Sequence, residues 1–327
     1  MATPIDLDAY EDEYGPDEPG SRRGRRLSQA ARERIDAVED TARVTSTHRG
    51  EVEIVREDGV IVPAVYGGSM RGERVVVGDV VRVEYGEDGD HGRIVARLPR
   101  RTWLSRADDD GGESRLVVAN VDRVLVVAAA DKVRAGLRLL DRVLVSASIG
   151  GVPVGMIVNK MDLVDAGVVD AALAGHARFL DPVLPVAAKP GTGVEAVRGV
   201  LSHGWTVLVG HSGVGKSTLF NALLPGVERR VGEVGRHGGR HTTVRAMAHP
   251  IGEGWLADTP GIRSWGISDV TPDELAAHWP GLGAATCEVD NCTHTGEAGC
   301  RAVDAIGEAR HERYRQVHAG LTGQAEG

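Results

Sequence analysis

Eight consecutive residues, Gly210-His211-Ser212-Gly213-Val214-Gly215-Lys216-Ser217, have the types and spacing of a loop that cradles phosphate. The glycines let the backbone turn its N–H groups inward around a β-phosphate, and the amides and dipole of a following helix start favour the same negative charge. Lys216 would bridge the β- and γ-phosphates, and the Ser217 hydroxyl would hold Mg²⁺. Thr218 belongs to the same binding set. The flanks suit this chemistry, because the apolar run Trp205-Thr206-Val207-Leu208-Val209 precedes the loop and Leu219-Phe220-Asn221-Ala222-Leu223 follows it, predicting strand, loop and helix.

A second group, Asn159-Lys160-Met161-Asp162, ends another apolar run. A carboxylate at Asp162 can accept hydrogen bonds from the ring N–H and the exocyclic amine of guanine, a donor pair that adenine lacks. Lys160 would cover the base with its stem, and Asn159 would tie its loop to the base edge or to the phosphate loop. Asp162 could instead cap the next helix. Ala187-Ala188-Lys189 lies where the Ala188 amide could reach the guanine carbonyl. Downstream, Asp258-Thr259-Pro260-Gly261 would place Asp258 on Mg²⁺ through water and the Gly261 amide on the γ-phosphate. The glycine-rich stretch from Gly226 to Val244 is the candidate for a loop ordered by γ-phosphate and Mg²⁺. Thr242 or Thr243 could supply a second hydroxyl to the metal, and Thr243 is favoured.

All three cysteines fall in one stretch, with four residues between Cys287 and Cys292, one before His294 and five before Cys300. An odd number of thiols cannot pair fully into disulfides. Three thiolates and one imidazole suit tetrahedral Zn²⁺, and a full ligand set with no open position makes that ion structural.

The elements that must position these groups are legible in outline. The formal charge of -9 argues against indiscriminate coating of nucleic acid. Its distribution is uneven, with an acidic start and arginine clusters at residues 22–26, 97–106 and 229–245, each a possible contact for a phosphate backbone or an ordinary solvated face. The apolar fraction of 42% contains no run long enough to span a membrane, and Met1 is not followed by a basic and then apolar leader, so a cytoplasmic protein with no membrane partner is expected. Residues 1–46 predict an acidic, then basic, disordered extension. Residues 47–106, with short valine-rich runs broken by Asp-Gly and Gly-Asp, predict a β-barrel of the oligonucleotide-binding type with few aromatics for stacking. Residues 107–115 read as a linker, and 116–268 alternate strands and helices, which predicts an α/β domain with a parallel sheet. Residues 269–327 predict a metal-binding helical domain, with Thr271-Pro272-Asp273-Glu274 starting one helix and Ala302–Val317 forming another. Arg310, Arg313 and Arg315 on that last helix form either an RNA-facing surface or a solvated face.

In most guanine-nucleotide switches the base-reading group follows the phosphate loop, whereas here it comes first. The order is that of a circular permutation, and the groups can still meet because ligands bind at one edge of an open α/β sheet. On Asn159-Lys160-Met161-Asp162, Gly210 to Ser217, Gly239-Arg240-His241-Thr242-Thr243, Asp258-Thr259-Pro260-Gly261 with Arg263-Ser264-Trp265, and the cysteine cluster, residues 48 to about 318 resemble the circularly permuted GTPases of the RsgA (YjeQ/EngC) family. The resemblance implies an oligonucleotide-binding-type barrel before the GTPase domain and a zinc domain after it. It also implies slow GTP hydrolysis that accelerates on the 30S small ribosomal subunit and its 16S rRNA, late in maturation of that subunit. The chain is expected to act as a monomer. Ile262 stands where many GTPases carry a glutamine that orients water, and an isoleucine makes no hydrogen bond there. His241 is then the catalytic candidate by family pattern, with contact to RNA or solvent as its alternative role.

Overall fold

The computed structural model describes residues 35–48, 51–107, 114–227, 246–258, 265–267 and 269–323. Thirteen strands are present among them: β1 Thr41–His48, β2 Glu51–Val55, β3 Ile61–Tyr66, β4 Val80–Tyr85, β5 Gly92–Arg97, β6 Trp103–Arg106, β7 Arg115–Ala119, β8 Arg123–Ala129, β9 Val154–Asn159, β10 Val183–Pro185, β11 Trp205–Val209, β12 Ala246–Ile251 and β13 Gly254–Asp258.

Strands β1 to β5 close on themselves in the order β1-β2-β3-β5-β4, with β4 returning to β1 and β3 running parallel to β5. Alternation builds the interior, since Val44, Val52, Ile54, Val62, Val81, Val83 and Ile94 point inward and are buried. This is the expected barrel with two revisions. Strand β1 begins inside the segment expected to be an extension, and Arg74-Val75-Val76-Val77, one of the valine-rich runs expected to form the barrel, is not a strand, although Val77 makes an isolated parallel bridge to Val118. The sequence Thr41-Ala-Arg-Val-Thr-Ser-Thr-His48 hides its strand because Ala42 and Val44 alone are apolar. Its buried hydroxyls are satisfied by carbonyls, Thr45 Oγ1 donating to Glu53 O at 3.1 Å and Ser46 Oγ to Ala246 O at 3.2 Å.

The nucleotide-domain sheet runs β10-β9-β8-β11-β13-β12, parallel except for β12, and β12 also pairs with β1, so barrel and domain share one sheet. Its central strands are near-continuous apolar runs because both faces are covered. Along β8, Val124, Val126 and Ala128 face one core while Leu125, Val127 and Ala129 face the other. The first core is roofed by helices α1, Val133–Ile149, and α2, Ala166–Leu173; the second by α3, Val194–Leu201, and α4, Lys216–Leu223. The expected linker at 107–115 is flanked by a two-stranded antiparallel ribbon of β6 and β7. Trp103 N donates to Gly150 O at 3.0 Å, and a Cβ on Gly150 would sit 1.8 Å from Trp103 O, so only glycine permits this join between ribbon and helix end.

The C-terminal region contains short helices α5, Leu275–His278, and α6, Ala302–Ile306, and the longer α7, Glu308–Leu321. The single helix expected over Ala302–Val317 is broken by Gly307, at φ +78°. Glu274 Oε2 accepts from Thr271 N at 3.0 Å and Thr271 Oγ1 at 2.8 Å, so the predicted capping pair forms one turn ahead of α5.

Candidate nucleotide site and metal centre

Strand register brings the separated sequence groups to one sheet edge. Ala129 pairs with Asn159, Val158 with Pro185, Val126 with Val209, and Leu208 with Asp258, which aligns the C-terminal ends of five parallel strands. The Asn159 group, the Ala188 segment, the phosphate loop and Asp258 all start there, where an open α/β sheet binds ligands.

Asn159 is the tie. Its side chain is buried, its Nδ2 donates to Val214 O inside the phosphate loop at 3.0 Å, and its Oδ1 accepts from Lys160 N at 2.8 Å and Ala188 N at 3.0 Å. One amide thus joins three segments far apart in sequence. The loop accommodates it at Gly215, where φ is +92° and an added Cβ would lie 2.2 Å from Asn159 Nδ2. Lys160 takes the left-handed conformation at φ +63°, which turns the chain into Met161–Leu163 and leaves Asp162 exposed. The capping alternative for Asp162 does not hold, because Asp165 Oδ1 caps α2 by accepting from Gly167 N at 2.8 Å.

Within the phosphate loop Gly210 and Val214 are buried, while Ser212 and Gly213 are exposed. Ser217 and Thr218 lie in the first turn of α4, so their amides face the loop. The Lys216 ammonium folds over the loop and donates to the carbonyls of Gly210 and His211, the latter at 2.9 Å. Asp258 closes β13 beside Leu208. His241, Thr243 and Gly261 lie outside the described residues.

The four sulfur and nitrogen atoms offered by Cys287, Cys292, His294 and Cys300 all lie within 4.8 Å of one another. His294 Nδ1 is 3.4 Å from Cys287 Sγ and 3.7 Å from Cys300 Sγ. A tetrahedron with metal–sulfur bonds of about 2.3 Å has edges of roughly 3.8 Å, so this cluster fits a bound ion with little adjustment. Burial, with the two neighbouring thiols, pushes the Cys292 thiol up to about 12, so a cation is what would let three thiolates share this space. The surrounding residues orient the donors. Arg301 N and Ala302 N point at Cys287 Sγ and Cys300 Sγ at 3.3 and 3.4 Å, and His311 Nε2 lies 2.7 Å from His294 O. Sequence reasoning missed Glu297, whose carboxylate accepts from Thr293 N at 2.8 Å, Thr295 N at 2.9 Å and Gly296 N at 3.0 Å. These bonds outweigh its partial burial and hold it down at about 2. The short threonine- and glycine-rich run just before it was the available signal.

The expected basic face of α7 is also revised. Arg310 and Arg313 turn inward onto Asp141 of α1, and of the three arginines Arg315 alone is exposed.

Residues 97–268 match the model of the family described as RsgA GTPase. The small ribosomal subunit biogenesis GTPase RsgA of Gemmatimonas aurantiaca is 37% identical over 296 residues, covering 84% of this chain and 95% of that protein. The protein of the same name from Azotobacter vinelandii is 37% identical over 286 residues, covering 83% and 82%. Among solved structures, YjeQ from Thermotoga maritima superposes with a TM-score of 0.70 at 28% identity, over 87% of this chain and 99% of that one. YloQ, described as a circularly permuted GTPase, shares the fold with a TM-score of 0.65 at 21% identity, over 87% and 96%. With Asn159-Lys160-Met161-Asp162 ahead of the Gly210 to Ser217 loop and both at one sheet edge, the chain belongs to the RsgA GTPase family.

Proposed function

We propose that this protein hydrolyses GTP to GDP and phosphate, slowly alone and faster on the small ribosomal subunit, in a late step of that subunit's maturation. The observation that carries the reading is the Asn159 amide, which binds the phosphate loop and the Ala188 segment at once and so makes one nucleotide pocket from a permuted chain. In that pocket Asp162 reads the guanine N–H groups and Lys160 covers the base, while the Ala188 amide, which donates to Asn159 Oδ1, would have to turn from that oxygen to meet the guanine carbonyl. The amides from Gly210 to Thr218, with Lys216, hold the phosphates, and Gly261 meets the γ-phosphate. Ser217, Thr243 and Asp258 would hold Mg²⁺, which would supply neutralising charge for the phosphates. His241 orients the attacking water in place of the missing glutamine. Cys287, Cys292, His294 and Cys300 hold one structural Zn²⁺. The name shared by the relatives supports the small subunit as partner, and its 16S rRNA would be the nucleic acid met there. The protein works in the cytoplasm, as a monomer; no helix among the described residues is long and apolar enough to cross a membrane.

GTP turnover with and without purified small subunits tests the reading, and acceleration by subunits is the expected result. Inhibition by ATP as strong as by GDP would point instead to a nucleotide site that does not read guanine. His241→Ala should lower turnover about 10²-fold or more while leaving GTP affinity nearly intact; unchanged turnover on subunits would remove His241 from the mechanism.

A further inference from the structure

Helix α1 has three working faces. Val133, Leu137, Leu140, Leu144 and Ala147 pack on the sheet. Arg142 and Ser146, one turn apart, hold Trp265: its indole N–H donates to Ser146 Oγ at 2.8 Å, and Arg142 Nη1 donates to its carbonyl at 3.2 Å. Trp265 is buried, lies seven residues after Asp258, and leads directly into the C-terminal region. The third face, Asp141 with Val145 and Ser148, meets that region itself, Val145 joining the core of Trp279 and Tyr314, and Ser148 Oγ lying 3.2 Å from His278 Nδ1.

Asp141 is buried in the middle of this third face. One of its oxygens lies 3.0 Å from His176 Nε2 and accepts from Arg310 Nε at 3.3 Å, and the other accepts from Arg313 Nε. Arg310 Nη1 also donates to Pro280 O at 3.0 Å, and its guanidinium stacks over Phe179 at 4.9 Å. One carboxylate thus joins α1, the segment after α2 and the last helix. A purely apolar seam would hold the same surfaces together without fixing their register, whereas a hydrogen-bonded charge cluster accepts few orientations.

We propose that Asp141 is a positioning residue for the ribosome-stimulated reaction. It sets the C-terminal region in one orientation on the helix that also seats Trp265, and the small subunit recognises the nucleotide and C-terminal regions in that fixed relation. This rests on the reading of the protein as a subunit-stimulated GTPase.

The test replaces the cluster by apolar groups of similar size, Asp141→Leu with Arg310→Met and Arg313→Leu, in the full chain with its metal bound. Such replacements keep a seam packed, so melting temperature, metal content, basal turnover and KM for GTP should stay close to the parent. Two readouts should move. The subunit concentration for half-maximal stimulation should rise roughly tenfold, and hydrogen exchange of amides in Glu308–Leu321 should quicken in the free protein. Arg313→Lys, which keeps a cation beside Asp141, should fall between. Half-stimulation at the parent concentration, or unchanged exchange in α7, overturns the proposal, as does a fall in basal turnover matching the fall in stimulated turnover. Absence of stimulation in the parent protein would overturn the functional reading, while the exchange measurement still decides whether the cluster fixes the seam.

Discussion

At the scale of single residues, Asn159 has more to do than a base-contacting side chain. Both ends of its amide are used within the protein, one on Val214 O and the other on Lys160 N and Ala188 N. Removing it leaves buried backbone groups without partners, a penalty of about 1–3 kcal/mol, while the sheet that carries the loops is untouched. Asn159→Ala should therefore fold, and its KM for GTP should rise roughly tenfold to a hundredfold, measurable by steady-state turnover or by titration with a fluorescent GTP analogue. An unchanged KM would mean that the three loops are held together by something other than this amide. The neighbouring Asp162 differs in kind, because it is exposed and its proposed work is toward the ligand.

At the scale of elements, the metal segment shows how a loop with little core of its own is held. Glu297 gathers backbone amides from Thr293 to Gly296, His311 reaches His294 O, and the Tyr314 hydroxyl donates to Thr293 O at 2.7 Å, so α7 and the cluster brace each other. Glu297→Ala should weaken metal retention about 10- to 100-fold, read by competition with a chelator, and stripping the ion should destabilise α7 along with the loop. The sequence showed the parts of this element that depend on residue type and spacing, namely the four donors, and missed the part that depends on a carboxylate folding back on its own loop. The same division runs through the fold. Strands β8, β9 and β11 were readable because burial on both faces makes their sequences continuously apolar. Strand β1 was not, since its buried positions are filled partly by Thr45 and Ser46, whose carbonyl partners lie on the neighbouring strands β2 and β12. In the nucleotide site the motifs were legible, whereas the double engagement of Asn159 required the strand register to be known.

At the scale of the whole molecule, Asp141 makes the joint between regions sensitive to acid in a way that can be separated from other carboxylates. Burial alone would push its carboxyl up, but the hydrogen bond and charge of His176, with Arg313 and Arg310, outweigh that and hold it below the usual carboxylate value. A group depressed in the folded state binds fewer protons there than in the unfolded chain, so its contribution is fully present above the unfolded value of about 3.9 and is lost as pH falls through the lower, folded value. Glu297, held at about 2, and Glu274, lowered by Thr271, weaken the fold over the same acid range, so the parent protein's melting curve alone cannot isolate Asp141. The difference between the parent and the variant carrying Asp141→Leu, Arg310→Met and Arg313→Leu can, because both proteins retain the two glutamates. That difference in melting temperature should shift against the parent as pH falls below about 4, where the unfolded chain's aspartate takes up a proton that Asp141, between two guanidinium groups, resists. A difference that stays flat to pH 2 would mean that Asp141 takes up its proton alike in the folded and unfolded chains, and so that the cluster does not hold its charge.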